Sequence, residues 1–92
     1  MNRKLEVLLH AHFINYELND LINVIKSKDT CCLKINLDIP GNIWSVEVRG
    51  NNYKCERIAF IEDERFDINE SIGVAALILL GLSKEYIYER IF

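Results

Sequence analysis

The chain has 92 residues, 50% of them hydrophobic and 27% charged, with a formal net charge of −3. That length supports one core and a single domain, residues 1–92. The composition excludes a disordered chain, and the mild negative charge argues against non-specific binding to nucleic acid. One proline and four glycines leave no linker to divide it.

Met1-Asn2-Arg3-Lys4 followed by an apolar run has the outline of a signal peptide. Glu6, His10 and His12 interrupt that run, however, and no small-residue cleavage site follows. A helix is expected instead, in a cytoplasmic protein whose Cys31, Cys32 and Cys55 are free thiols. Three is in any case an odd number. The frequent Ile, Asn and Lys point to an AT-rich genome, bacterial or phage.

The spacing predicts one long helix over residues 3–27. Val7, Ala11, Ile14, Leu18, Leu21 and Ile25 recur every three or four residues, a stripe expected to face the core. A second stripe on nearly the opposite side carries Leu5, Leu9, His12 and Tyr16, flanked by Leu8 and Phe13, and continues as Asn19 and Asn23. Two apolar faces on one helix mean either cover from the same chain or a partner surface, most simply that of a two-fold homodimer.

Residues 30–39 alternate strictly, with Cys31, Leu33, Ile35, Leu37 and Ile39 on one face, as a half-buried strand does. Pro40-Gly41 marks a turn with Gly41 suited to positive φ, in a loop slightly wider than two residues. Residues 43–49 form the return strand. One register then puts Leu37 opposite Trp44, Ile35 opposite Val46, Leu33 opposite Val48 and Lys34 opposite Glu47. Gly50-Asn51-Asn52 marks a second turn. Tyr53–Glu62 reads as a third strand, with Cys55, Ala59 and Ile61 on one face, Ile58 and Phe60 on the other, and room for a bulge. Glu47 and Arg49 are expected to meet Lys54 and Glu56. The helices are expected to cover Leu33, Ile35, Leu37, Trp44, Val46 and Val48.

Asp67 and Glu70 have the spacing of a capping box. The stretch that follows, SIGVAALILLGL at residues 71–82, is apolar on all sides yet too short to span a bilayer. Other elements must therefore wrap it. Gly81 suits a left-handed helix cap, and Ser83 caps a last helix over Lys84–Ile91. The fold class is α+β: a long N-terminal helix, a three-stranded antiparallel meander, an apolar helix and a short C-terminal helix (α-β-β-β-α-α).

Chemistry-bearing groupings are sparse. His10 and His12 lie about 200° apart around a helix, and Glu6 with His10 lacks a third ligand. No CxxC or HExxH occurs, and the acids at 62–70 do not fit a calcium loop. No metal, cofactor or catalytic residue is expected. The expected partner contacts are Leu5, Leu9, His12, Phe13 and Tyr16, with Glu62, Asp63 and Glu64 as an acidic patch for a basic partner.

Ala75–Phe92, AALILLGLSKEYIYERIF, resembles the helix-turn-helix of small excisionase-like and MerR-like DNA-binding proteins, with Leu80-Gly81-Leu82-Ser83 as the turn and Ile87-Tyr88 in the recognition helix. The resemblance implies DNA contacts from Lys84, Tyr86, Tyr88 and Arg90. Leu77 stands where that family carries a small residue, and Glu85 and Glu89 neutralise the helix, where phosphate contacts need cations. The order helix, three strands, helix is similar to that of the double-stranded-RNA-binding domain. Asp67, Asn69 and Glu70 stand where that family carries lysines. The function expected is a non-enzymatic protein-interaction module, a small bacterial or phage regulator or inhibitor acting as a homodimer or on a protein partner. Its alternative is a helix-turn-helix DNA-binding regulator; nucleic-acid or membrane partners are not expected otherwise.

Overall fold

The computed structural model describes residues 1–92 as an α+β fold with seven elements: α1 (Arg3–His12), α2 (Leu18–Ser27), β1 (Thr30–Asp38), β2 (Ile43–Gly50), β3 (Arg57–Glu62), α3 (Ile68–Leu79) and α4 (Lys84–Ile91). The single long helix expected over 3–27 is two helices. Phe13 is extended (φ −130°, ψ 140°) and ends α1; Glu17, also extended, starts α2, where the Asp20 carboxylate accepts the Glu17 N–H at 3.1 Å.

The break has a geometric cause. On one straight helix Leu9 and Leu21 would lie about 120° apart, at 100° per residue. Both must reach α3, and interrupting the helix lets each half turn independently. This reverses the expected faces of the first half. Leu5 and Leu9, expected to be partner contacts, are 0% exposed core residues, whereas Val7 and Ile14, expected to face the core, are 70% and 95% exposed. Ala11 is exposed as well, while Leu21 and Ile25 are buried as expected. Gly73 permits the close approach of α1 to α3, since a Cβ there would stand 3.1 Å from Leu9 Cδ1.

Helix α3 is the centre of the molecule. Glu70 through Leu77 are buried without interruption, and only its two ends reach solvent. Its capping box forms as the spacing requires: Asp67 Oδ1 accepts the Glu70 N–H at 2.8 Å and Glu70 Oε1 accepts the Asp67 N–H at 2.9 Å. At the other end the Gly81 N–H donates to Ile78 O (2.9 Å) and the Leu82 N–H to Leu77 O (3.2 Å), a Schellman closure with Gly81 at φ 107°. Glu70 also reaches out of the helix. Its Oε2 accepts the Asn2 N–H at 2.6 Å, while Asn2 Nδ2 donates to Ile91 O at 3.1 Å and Asn2 Oδ1 caps α1 at the Leu5 N–H. Ser71 is the exception to this satisfied frame, its Oγ being buried with no hydrogen-bond partner. Ser71→Ala is therefore expected to raise stability by about 1 kcal/mol in a urea titration, because it removes a desolvated hydroxyl and improves helix propensity.

The sheet is antiparallel in the order β1-β2-β3. Its hairpin has the expected register, Leu33↔Val48, Lys34↔Glu47, Ile35↔Val46 and Leu37↔Trp44. In the turn, the left-handed residue is Asn42 (φ 51°) rather than Gly41, and the Asn42 N–H donates to Ile39 O at 3.3 Å. Strand β3 begins at Arg57, four residues later than expected. Asn52 and Cys55 organise a compact turn over residues 51–56, and the pairing slips between Val48 and Arg49. Arg57, not Lys54 or Glu56, therefore meets Glu47.

The core lies between α3 and the strands β2 and β3, where Val46, Val48, Ala59 and Ile61 are buried. A helix about 10 Å wide covers about two strands spaced near 4.8 Å. The third strand, β1, is left to α2, which packs on its start: Thr30 Oγ1 donates to Ile25 O at 3.2 Å. Beyond Leu33 the apolar face of β1 is uncovered, against expectation, with Ile35 37% and Leu37 39% exposed, and Ile39, at the start of the turn that follows, 79% exposed.

Candidate interaction surfaces

The uncovered face belongs to an edge strand. β1 pairs only with β2, so alternate backbone N–H and C=O groups along its other side face solvent. Folded proteins blunt such edges with short strands, prolines or charges. The opposite edge, β3, is blunted in this way: it has six residues, bounded by Arg57 and Glu62. β1 has nine, with no proline, and its irregularity is confined to its first residues. Beside its start runs a groove lined by Ile22 and Lys26 of α2 and by Thr30, Leu33 and Ile35 of β1. On the polar face of the same strand, neither Lys34 nor Asp38 has an ion-pair partner within the chain. Glu47, which lies opposite Lys34, is taken by Arg49 (2.9 Å) and Arg57 (2.7 Å) instead.

A second surface lies between α1 and α4. Arg3, Lys4, Val7, His12, Tyr86 and Arg90 line a hollow with no carboxylate in its wall, and the Arg90 guanidinium lies 4.1 Å from the Tyr86 ring centroid. Of the residues that the helix-turn-helix resemblance singles out, Tyr86 and Arg90 stand here. Tyr88 is instead packed edge-on against Phe66 and Phe92, at centroid distances of 5.8 and 5.3 Å, with the Lys84 ammonium 5.5 Å from its ring.

The remaining sequence-derived contacts are scattered. His12 is exposed at the end of α1, and Phe13 and Tyr16 are half-buried in the α1–α2 connection, where the Tyr16 ring meets His10 at 6.0 Å. They do not form one surface with Leu5 and Leu9, which lie in the core. Glu62 and Glu64 are exposed. Asp63 is held by Arg65 in a two-pronged contact, at 2.9 and 2.7 Å. The residues missed by sequence reasoning are Ile35, Leu37 and Ile39. Alternation marks them as an apolar face but does not say that the face lacks a cover, which follows from one apolar helix spanning about two of three strands.

The titratable groups are tuned toward pairing. The Arg49 hydrogen bond, with Arg57, holds the Glu47 carboxyl below its ordinary range, and Arg65 does the same for Asp63. A carboxylate whose folded pKa is lowered contributes stability above its unfolded pKa, and that contribution is lost as pH falls through the folded value. The gap in urea midpoint between the native protein and Glu47→Gln is therefore expected to be widest at neutral pH and to close as pH falls through the lowered folded value. No group of three or more His, Cys, Asp or Glu side chains is placed to hold a metal ion, and no helix is long and apolar enough to cross a membrane. No protein-family model matches the chain, and neither a curated protein nor a solved structure shows significant similarity to it.

Proposed function

We propose that this protein is a non-enzymatic interaction module that works as a two-fold homodimer joined edge to edge through β1. The observation that carries the reading is the self-complementarity of that strand. Antiparallel pairing of β1 with a second copy, centred on Asn36, sets Lys34 opposite the partner's Asp38 and Asp38 opposite the partner's Lys34. On the apolar face it sets Ile35 opposite the partner's Leu37 and Leu33 opposite the partner's Ile39. Centring on Lys34 or on Asp38 would oppose like charges, and centring on Ile35 or Leu37 would pair neither charge with its opposite. In the Asn36 register the partner's Ile39 arrives beside Leu33, at the groove under Ile22 of α2. A six-stranded sheet results, in which the exposed β1 edges disappear.

The non-enzymatic part of the reading rests on how the ionisable groups are employed. Glu47 and Asp63 are held ionised by arginines, the opposite of the raised carboxyl that a general acid needs near neutral pH. A small cytoplasmic regulator or inhibitor of bacterial or phage origin, presenting the rest of its surface to a protein partner, fits this arrangement. Charge exchange tests the register. Lys34→Asp alone opposes two pairs of like charges across the dimer and is expected to weaken it about tenfold, at about 0.2–1 kcal/mol for each pair lost and a similar repulsion gained. The double variant Lys34→Asp/Asp38→Lys is expected to restore it, as read by light scattering over a dilution series. A native protein that is monomeric throughout sinks the proposal.

The hollow between α1 and α4 supports a second reading, as a contact for an anionic chain such as DNA, through Arg3, Lys4 and Arg90. Under that reading binding falls steeply with salt and is lost in Arg3→Glu/Arg90→Glu, while the β1 substitutions leave it unchanged.

A further inference from the structure

We propose that Cys31 and Cys55 form a reversible dithiol–disulfide site that reacts with low-molecular-weight disulfides. The proposal rests on observations separate from the β1 pairing, although Cys31 also lines the groove beside Leu33. The two sulfurs lie 3.6 Å apart on exposed side chains 24 residues apart in the chain. Two local irregularities bring them together. Thr30 pairs with Gly50 and Cys32 with Arg49, so Cys31 is the extra residue of a bulge and is released from strand alternation. Cys55 sits at φ 46°, in the left-handed region that a cysteine rarely adopts. It is held there from both sides: its N–H donates to Asn52 O at 3.0 Å, and its carbonyl accepts from Arg49 Nη1 at 2.9 Å. The Asn52 side chain fixes the rest of the turn, its Oδ1 accepting the N–H groups of Lys54 (3.1 Å) and Glu56 (3.4 Å). The loop thus presents Cys55 to Cys31, rather than leaving two thiols to meet by diffusion.

The chemistry follows from that contact. The Cys31 S–H donates to Cys55 Sγ, and this hydrogen bond is the main cause that raises the Cys31 thiol above its ordinary range. Cys55, presented by its turn, is the attacking sulfur of the proposed exchange, in the thiolate form that the reaction requires. It attacks one sulfur of a disulfide RSSR, the S–S bond breaks, RS⁻ leaves, and Cys55 carries a mixed disulfide. Cys31 then gives its proton to solvent and attacks the Cys55 sulfur, expelling the second RS⁻. Two protein thiols are oxidised to one disulfide, and RSSR is reduced to two RSH. The sulfurs must close by about 1.5 Å to bond, a distance that rotation of two exposed side chains supplies. Cys32 remains a thiol.

Oxidised glutathione is the probe. The folded, reduced protein is expected to lose two hydrogens in mass, to retain one free thiol and to yield a Cys31–Cys55 cross-linked peptide on non-reducing digestion. Cys31→Ser is expected to stop at a glutathione adduct on Cys55, and Cys32→Ser to close as the native protein does, both with unchanged circular dichroism. Closure of the mixed disulfide is expected to be at least about tenfold faster in the folded protein than in the chain held in guanidinium chloride, because the fold supplies the proximity. A cross-link through Cys32, glutathione adducts that persist on the folded native protein, or equal closure rates folded and denatured would overturn the proposal.

Discussion

Ile35→Lys is expected to convert the proposed β1 dimer into a folded monomer. Ile35 is already partly exposed in the single chain, so a lysine there has open water for its ammonium, and the fold loses little. In the proposed dimer the same position would face the partner's Leu37, and the two-fold axis would repeat the contact. Ile35 is 37% exposed in the single chain, so each lost apolar contact costs about 0.5–1 kcal/mol and the pair about 1–2 kcal/mol, to which two ammonium groups facing apolar surface add. At about 1.4 kcal/mol for each factor of ten, the dissociation constant rises at least about tenfold. Sedimentation equilibrium reads the change in mass, and a thermal melt of the monomer reads the fold. A variant that remains dimeric would move the interface away from β1. One that unfolds would mean that Ile35 belongs to the core of the single chain.

Leu9→Ala is expected to destabilise the fold by about 2–5 kcal/mol in urea, whereas Val7→Ala, two residues away, should change it by less than about 0.5 kcal/mol. Leu9 is fully buried and sits over Gly73, which has no side chain of its own to fill the space left behind. Val7 is largely solvent-exposed. The contrast tests the orientation of α1 directly, because the uninterrupted-helix reading of the sequence assigns the two residues the opposite roles. Equal losses at the two positions would contradict the break at Phe13–Glu17.

That orientation marks a limit of legibility. The hairpin register was readable because both faces of residues 33–48 obey one pairing, and a slip of one residue would have turned every leucine and isoleucine outward. The ends of α3 were readable because Asp67, Glu70 and Gly81 each have a local backbone reason to be where they are. The break between α1 and α2 has no such mark. The apolar spacing passes through Ile14 undisturbed, and what separates the two helices is the direction each must face to meet α3, a tertiary demand. The candidate interaction strand was hidden for a related reason. Alternation assigns Ile35, Leu37 and Ile39 to an apolar face, but it does not say whether that face has a cover. The cover depends on how many strands one helix can span, which becomes visible only when the layers are assembled.

Asn2 bonds to Glu70 and to Ile91, 68 and 89 residues along the chain. In kinetic terms, the α1 node cannot close until α3 and α4 are in place, while the β1–β2 hairpin needs only neighbouring residues. Closing such distant contacts is slow, and elements that depend on them dock late. The destabilisation by Leu9→Ala should then appear almost wholly as faster unfolding, with a φ-value near zero, whereas Val46→Ala should slow refolding. Helix α1, which precedes the other six elements in chain order, would be among the last to find its place.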